Sequence, residues 1–172
     1  MIPIIIGVTI FLLFVLVVFR GAPYVPTHSR EVKSALTKLY PLGADDFLVD
    51  AGSGDGIVLR QASRYGARAL GYELNPILVV VSWLLARGNS RVSTKLADFW
   101  YAEFPQETTV VYIFSVSRDA DKLDKKLQRE ATRLGHAIAL ITYGASLKHR
   151  KVTKQLRGHH LYIFTPLQEG KA

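Results

Sequence analysis

DAGSGDG, residues 50–56, follows the apolar run Phe47-Leu48-Val49 and holds three glycines and two acids in seven positions. Glycine at every second position lets the backbone turn tightly and lets a ligand approach bare main chain. The surrounding pattern makes it the loop of a strand–loop–helix unit. Phe47–Asp50 reads as a strand, and Gly56–Tyr65 as a helix stopped by Gly66. Similar units follow. Ala69–Glu73 reads as a strand, and Asn75-Pro76 is an N-cap and first-turn pair that opens a helix to about Arg87. Val92–Leu96, Thr109–Phe114, His136–Thr142 and Leu161–Phe164 read as strands, and Asp119–Leu134 as a helix. Upstream, Val32, Ala35, Leu36, Leu39 and Tyr40 recur with helical spacing before Pro41 and Gly43. Alternating strands and helices predict an α/β, Rossmann-like fold: a mostly parallel sheet with helices on both faces and ligands beyond the carboxyl ends of the strands. The stretch Pro76–Ala86 is apolar nearly all round but too short to span a bilayer, so it is expected to be buried against the sheet, with contact at the bilayer surface as the alternative.

The glycine spacing narrows the ligand. A dinucleotide fingerprint, G-x-G-x-x-G, would need its third glycine at position 57, which is Ile57. Asp50 stands two residues before the first glycine, where a carboxylate is awkward beside a pyrophosphate and useful beside the ammonium of a methionine moiety. S-adenosylmethionine is therefore favoured over NAD. Glu73 ends the second strand, 21 positions after Gly52, a spacing at which an acid can accept hydrogen bonds from both ribose hydroxyls. Asp98-Phe99-Trp100 follows the third strand, where a carboxylate could accept from an adenine amino group and an aromatic ring could cover the base; the alternative is a loop acid with core aromatics.

The chain has 172 residues, which suits one domain. Residues 1–19 carry no charged side chain; as a helix they would reach roughly 28 Å, close to the hydrocarbon thickness of a bilayer. The expected division is an anchor over 1–19, a linker over 20–31 and the main α/β domain over 32–172. No basic residue precedes the apolar run, which argues against a cleaved signal peptide. Arg20, Arg30 and Lys33 on its C-terminal flank place the domain in the cytoplasm by the positive-inside rule. No Arg-rich presequence precedes it, so a prokaryotic inner membrane is preferred to a mitochondrial one. All 22 Lys and Arg and all 14 Asp and Glu follow the leader, so the net charge of +8 belongs to the domain and favours an anionic leaflet. No DNA- or RNA-binding module is apparent, and no nucleic-acid partner is expected. The chain has no cysteine, and its five histidines show no ligand spacing, so no metal site is expected.

These residues carry a resemblance. The stretches Pro23-Tyr24-Val25-Pro26-Thr27, Asp50–Gly56, Gly71-Tyr72-Glu73-Leu74-Asn75-Pro76 and Asp98-Phe99-Trp100, with the run Val111–Leu127, resemble a family of membrane-associated protein-lysine methyltransferases. Its mitochondrial members modify the ATP synthase c-subunit and the adenine nucleotide translocase, and it has prokaryotic relatives. The resemblance implies a class I methyltransferase fold using S-adenosylmethionine. It implies that Asp50, Gly52 and Gly54 hold the methionine end, Glu73 the ribose, and Asp98 and Phe99 the adenine. Ser53, Asp55, Gly56 and Leu74 complete the candidate cofactor set. Tyr24 to Thr27 would fold over the cofactor, and Tyr24, Thr27, Ser115 and Ser117 are the candidates for the target channel. A membrane protein is the expected methyl acceptor.

Two segments depart from the family pattern. Ser115-Val116-Ser117 replaces a Gly-Val-Pro after the fourth strand, and Tyr143-Gly144-Ala145-Ser146 replaces an aromatic- and proline-rich loop after the fifth. A non-catalytic cofactor-binding module on a degenerate methyltransferase fold is therefore an alternative, and an NAD-linked oxidoreductase a weaker one. The basic run 147–159 reads either as a solvated face or as a contact for anionic lipid or an acidic protein.

Overall fold

The structure, a computed structural model, describes residues 3–5, 7–9 and 29–167. Helix α1 is Ser29–Ser34, and the chain then widens into a π-helical turn, Ala35–Leu39. Val32, Ala35, Leu36 and Leu39 are buried there, as their spacing predicts. Then come β1 (Phe47–Ala51), α2 (Ile57–Arg64), β2 (Arg68–Glu73), α3 (Pro76–Leu85), β3 (Val92–Leu96) and β4 (Val110–Ser115). A short 3-10 turn, Ser117–Asp119, leads into α4 (Ala120–Leu134), followed by β5 (Ile138–Gly144), β6 (Lys154–Leu156) and β7 (His159–Phe164).

The strands form one sheet in the order β3-β2-β1-β4-β5-β7-β6. The first five run parallel, and β7 is antiparallel to both β5 and β6. Side chains alternate between two apolar layers. Val49, Leu70, Tyr72, Val111, Leu140 and Phe164 pack with Leu123, Leu127 and Leu134 of α4. Leu48, Ala69, Val110, Tyr112 and Ile141 pack with Leu36 of the π-helical turn and with Val58, Leu59 and Ala62 of α2.

Two segments differ from the expectation. Strand β6 lies inside the basic run. Its three residues, Lys-Gln-Leu, are too few to show alternation, and it exists because β7 offers it an edge. Much of the run is tied down: Arg150 pairs with Asp124 at 2.6 Å, Lys148 with Asp121 at 3.6 Å and Arg157 with Glu31 at 2.5 Å. Helix α3 is the second. It is capped as expected, with Asn75 Oδ1 accepting the Ile77 N–H at 2.9 Å, but the burial expected of it is confined to Val79 and Ser82. It touches the sheet through one narrow stripe, where Ser82 Oγ meets Thr94 Oγ1 at 2.7 Å and Trp83 Nε1 donates to Thr94 O at 2.9 Å.

Residues 3–5 and 7–9 are helical. The rest of the expected anchor, and the linker as far as residue 28, lie outside the described residues. Among the described residues no helix is long and apolar enough to cross a membrane.

Candidate active site

The glycine loop leaves the carboxyl end of β1, at the centre of the sheet. Gly52, Gly54 and Gly56 have φ of 78°, 55° and 79°, a left-handed region in which a Cβ is strained. The loop is stitched to β2: the N–H groups of Gly52 and Ser53 both donate to Tyr72 O, at 2.9 and 3.1 Å. Its glycines do different work. A Cβ on Gly52 would meet nothing within 4 Å, so this residue faces open space. A Cβ on Gly56 would lie 2.3 Å from Ser82 Oγ, so this one lets α2 and α3 pack together.

Glu73 locks the loop to the next turn. Its Oε2 accepts the Gly54 N–H at 2.8 Å and its Oε1 accepts the Asn75 N–H at 2.8 Å. Each oxygen keeps a further lone pair for a hydroxyl donor. Asp50 lies opposite Gly71 and Tyr112 in the sheet register. It is 3% exposed, and its Oδ2 has no hydrogen-bond partner. Burial pushes its carboxyl well above the usual carboxylate range, and the Glu73 and Asp55 carboxylates add to the shift.

Other candidates are directed differently. Asp55 turns its carboxylate onto the Ile57 N–H at 3.1 Å and onto Arg60 at 3.2 Å, where it fixes the start of α2. Leu74 is exposed beside Glu73. Asp98 is half-buried and accepts the Trp100 N–H at 2.9 Å, which shapes the loop after β3. Phe99, read as a cover for adenine, is a core residue: its ring packs against Trp100 and Phe104 and lies under Lys126 Nζ at 5.2 Å. Ser115 is buried at the end of β4 with an unpartnered Oγ, while Ser117 is exposed two residues later. Tyr24 and Thr27 lie outside the described residues. The described residues hold no cluster of side chains that could bind a metal ion.

Sequence reasoning missed the residues that hold the site in shape. Gly71 is one. A Cβ there would lie 2.3 Å from Ser53 Oγ and 2.8 Å from Leu59 Cδ1, so the glycine loop can fold back over β2 only because β2 has no side chain at that point. A glycine inside a strand was the available signal. Lys126, Glu130 and Arg133 of α4 form another group. Lys126 Nζ donates to Ala102 O at 2.7 Å, Glu130 Oε2 accepts the Phe104 N–H at 3.2 Å, and Arg133 bonds both Glu130 and Phe104 O. They pin the loop that carries Asp98. Charges on an amphipathic helix read as solvated, so no signal marked them.

This strand order, with an antiparallel β7 and a glycine loop after β1, is the Rossmann-like fold of class I methyltransferases. Solved structures agree. An RNA methyltransferase from Salinibacter ruber, crystallised with S-adenosyl-L-homocysteine, superposes with a TM-score of 0.72 at 26% identity, over 86% of this chain and 98% of that one. A geranyl diphosphate methyltransferase in complex with SAM shares the fold, with a TM-score of 0.53 at 22% identity over 66% of this chain and 48% of that one.

Within that class the sequence is more specific. The family described as the ANTKMT methyltransferase domain matches residues 50–144, more than half of the chain, and the chain belongs to that family. Among characterised relatives it is 38% identical to the ATP synthase c-subunit lysine N-methyltransferase of Xenopus laevis, over 68% of this chain and 52% of that protein. It is 39% identical to the human counterpart, over 68% of this chain and 50% of that protein. It is 35% identical to the adenine nucleotide translocase lysine N-methyltransferase of Mus musculus, over 63% of this chain and 48% of that protein. The chain thus spans about half the length of the curated relatives it matches.

Proposed function

We propose that this protein is an S-adenosylmethionine-dependent protein-lysine methyltransferase, held at a membrane by residues 1–19 and acting on a lysine of a membrane protein. The observation that supports it most is where unpartnered polar groups fall. Among the described residues, the buried side-chain atoms without hydrogen-bond partners are Asp50 Oδ2, Ser53 Oγ and Ser115 Oγ. All three sit where strands meet loops on the carboxyl edge of the sheet, on β1, just after it and on β4. Buried polar groups in folded proteins are nearly always paired. Orphans gathered at one edge, around bare glycine backbone, fit a polar ligand that pairs them.

Bound there, S-adenosylmethionine supplies a methyl group activated by its sulfonium. The chain's own residues orient and screen. Asp50 is placed to receive the ammonium of the methionine moiety, a charge-assisted bond that would also relieve its burial. Glu73, held rigid by Gly54 and Asn75, offers its remaining lone pairs to the ribose hydroxyls. Gly52 gives the cofactor clear access to the backbone, and Asp98 would accept from the adenine amino group. Ser115 and Ser117 would line the approach of the target lysine; Tyr24 and Thr27, outside the described residues, remain candidates for it by resemblance alone. A desolvated channel favours the neutral amine over the ammonium, and the neutral form is the nucleophile. The leader would concentrate the enzyme on membrane-bound acceptors, with the domain on the cytoplasmic side of a prokaryotic inner membrane.

The test uses full-length protein, radiolabelled S-adenosylmethionine, and membranes from cells lacking the gene. Label on a lysine of a membrane protein, lost with Asp50→Ala and Glu73→Ala, is the expected result. Label in RNA, or cofactor binding with no transfer to any fraction, would overturn the reading.

A further inference from the structure

Helix α3 reads PILVVVSWLL and buries only Val79 and Ser82. Around it Leu74, Ile77, Val80, Trp83, Leu84 and Leu85 are 44–66% exposed. Ile77, Val80 and Leu84 fall at i, i+3 and i+7, one continuous line along the helix. Soluble surfaces scatter such residues singly, and a contiguous apolar patch marks an interaction site.

The charge around the patch selects the partner. From Leu74 to Ala97 the chain has no acid, and it has three exposed cations, Arg87, Arg91 and Lys95. Asn89 Nδ2 donates to Ser63 Oγ at 2.8 Å, which sets the turn bearing Arg87 and Arg91 against the end of α2, where Arg64 is also exposed. Among the described residues none of these arginines is in an ion pair.

We infer that α3 is a membrane-surface helix: its outer face enters the acyl region of an anionic bilayer, and Arg87 and Arg91 meet lipid phosphates. Apolar area and basic residues act together in this mode of binding. Two rival occupants fit less well. A second copy of the chain would bring the same cations face to face. The leader is uncharged from Met1 to Phe19 and would leave them unmatched. Trp83 stands at the flank of the face, tethered to Thr94 O and still 55% exposed, a suitable place for an interfacial tryptophan. The inference deepens the membrane location proposed above, and it adds an orientation. α3 starts three residues after Glu73, so docking this face would bring the cofactor edge of the sheet to the lipid surface.

Trp83 is also the reporter. In full-length protein carrying Trp100→Phe it is the sole tryptophan. Vesicles of phosphatidylcholine, with or without phosphatidylglycerol, are prepared with acyl chains brominated near the headgroup. The expected result is a blue-shifted, quenched Trp83 emission on vesicles containing phosphatidylglycerol, weaker on neutral ones. The double substitution Val80→Glu with Leu84→Glu should remove the quenching, while circular dichroism and vesicle sedimentation through the leader persist. Unquenched Trp83 in the vesicle-bound Trp100→Phe protein would overturn the inference. So would a blue shift that depends on protein concentration without lipid, which would mean self-association through this face. A blue shift that disappears when residues 1–19 are removed, without lipid, would mean that the leader covers it. Failure of the anchor reads differently: alkali would strip the protein from membranes while quenching on phosphatidylglycerol vesicles survived.

Discussion

On the β1–β2 side of the sheet's carboxyl edge, shape is set by main-chain hydrogen bonds. Tyr72 O takes two loop N–H groups, and Glu73 takes one from the loop and one from the next turn. On the β4–β5 side, shape is set by rings. Phe114 meets Tyr143 edge-on at 5.9 Å, Tyr143 stacks on His159 at 4.5 Å, and Tyr112 and His159 share a hydrogen bond of 2.9 Å. Main-chain bonding of the first kind admits few residues: glycines where φ is positive, and an acid where two N–H groups converge. Ring packing admits many. In the proposed reading the first side is a cofactor half, open to sharing by enzymes with different acceptors, and the second, with Ser115-Val116-Ser117 and Tyr143–Ser146, is an acceptor half that is free to change.

The sharpest way to break this comparison is Asp50→Asn. Losing the charged partner of the cofactor ammonium should weaken cofactor binding roughly 10- to 100-fold, as removal of a charge-assisted bond does. The same change should stabilise the free protein by on the order of 1 kcal/mol near neutral pH. The sign follows from linkage. The folded-state pKa of Asp50 is raised, so its stability contribution is present below the unfolded carboxylate value and is lost as pH rises through the folded one. Calorimetric titration with S-adenosylmethionine and thermal melts of the free protein measure the two effects. A variant that binds normally, or is destabilised at neutral pH, would remove Asp50 from the role given to it.

Gly71→Ala and Gly144→Ala set the halves directly against each other. An added Cβ would lie 2.3 Å from Ser53 Oγ in the first, and 2.8 Å from Ser115 O in the second, where φ is also +101°. Each should cost about 1–3 kcal/mol of stability. Only Gly71→Ala should also raise the cofactor Kd, because only it displaces the glycine loop. Equal effects on Kd would show that the halves are not separable.

Glu73→Gln is a smaller change in the cofactor half. A glutamine can accept one of the two N–H groups but must turn its own NH2 toward the other. Cofactor affinity should fall about tenfold, the lower end of what a lost charge-assisted hydrogen bond costs. Folding, read by thermal melt, should change less than in Gly71→Ala.

Much of this was legible in the sequence because the constraint is local. The positions of Asp50 in β1 and Glu73 at the end of β2 could be read from glycine spacing and strand ends alone, and Val32–Leu39 from its period. What escaped was decided by tertiary partners. Phe99 reads either as a cover for adenine or as a core aromatic, and the Phe104 and Lys126 contacts that bury it are not visible in the sequence. Lys126 and Glu130 read as solvated, yet they are buried because the loop 102–104 offers them main-chain partners. Helix α3, apolar enough to be placed in the core, sits beside the edge strand β3, where the sheet has no further surface to cover it. Strand β6 exists only because β7 is already there.

The smallest expected effect concerns the acceptor half alone. Burial pushes the His159 imidazole below the usual histidine range, with the Glu31 carboxylate opposing and the His160 ring adding to the shift. In this case the unfolded state binds the proton more readily. Stability is therefore full above the unfolded histidine value and declines as pH falls below it, toward the depressed folded value. The decline should act where His159 packs, on the Tyr112–His159–Tyr143 cluster, and should spare the Glu73-bound loop. Thermal melts between about pH 7.5 and pH 5.5, on either side of the ordinary histidine range, should show Tm falling by a few degrees. His159→Gln should flatten that slope while leaving cofactor affinity at neutral pH unchanged. If the cofactor Kd moved with His159 as strongly as with Glu73, ring packing in one half would govern main-chain geometry in the other, and the division of the edge into a shared half and a variable half would fail.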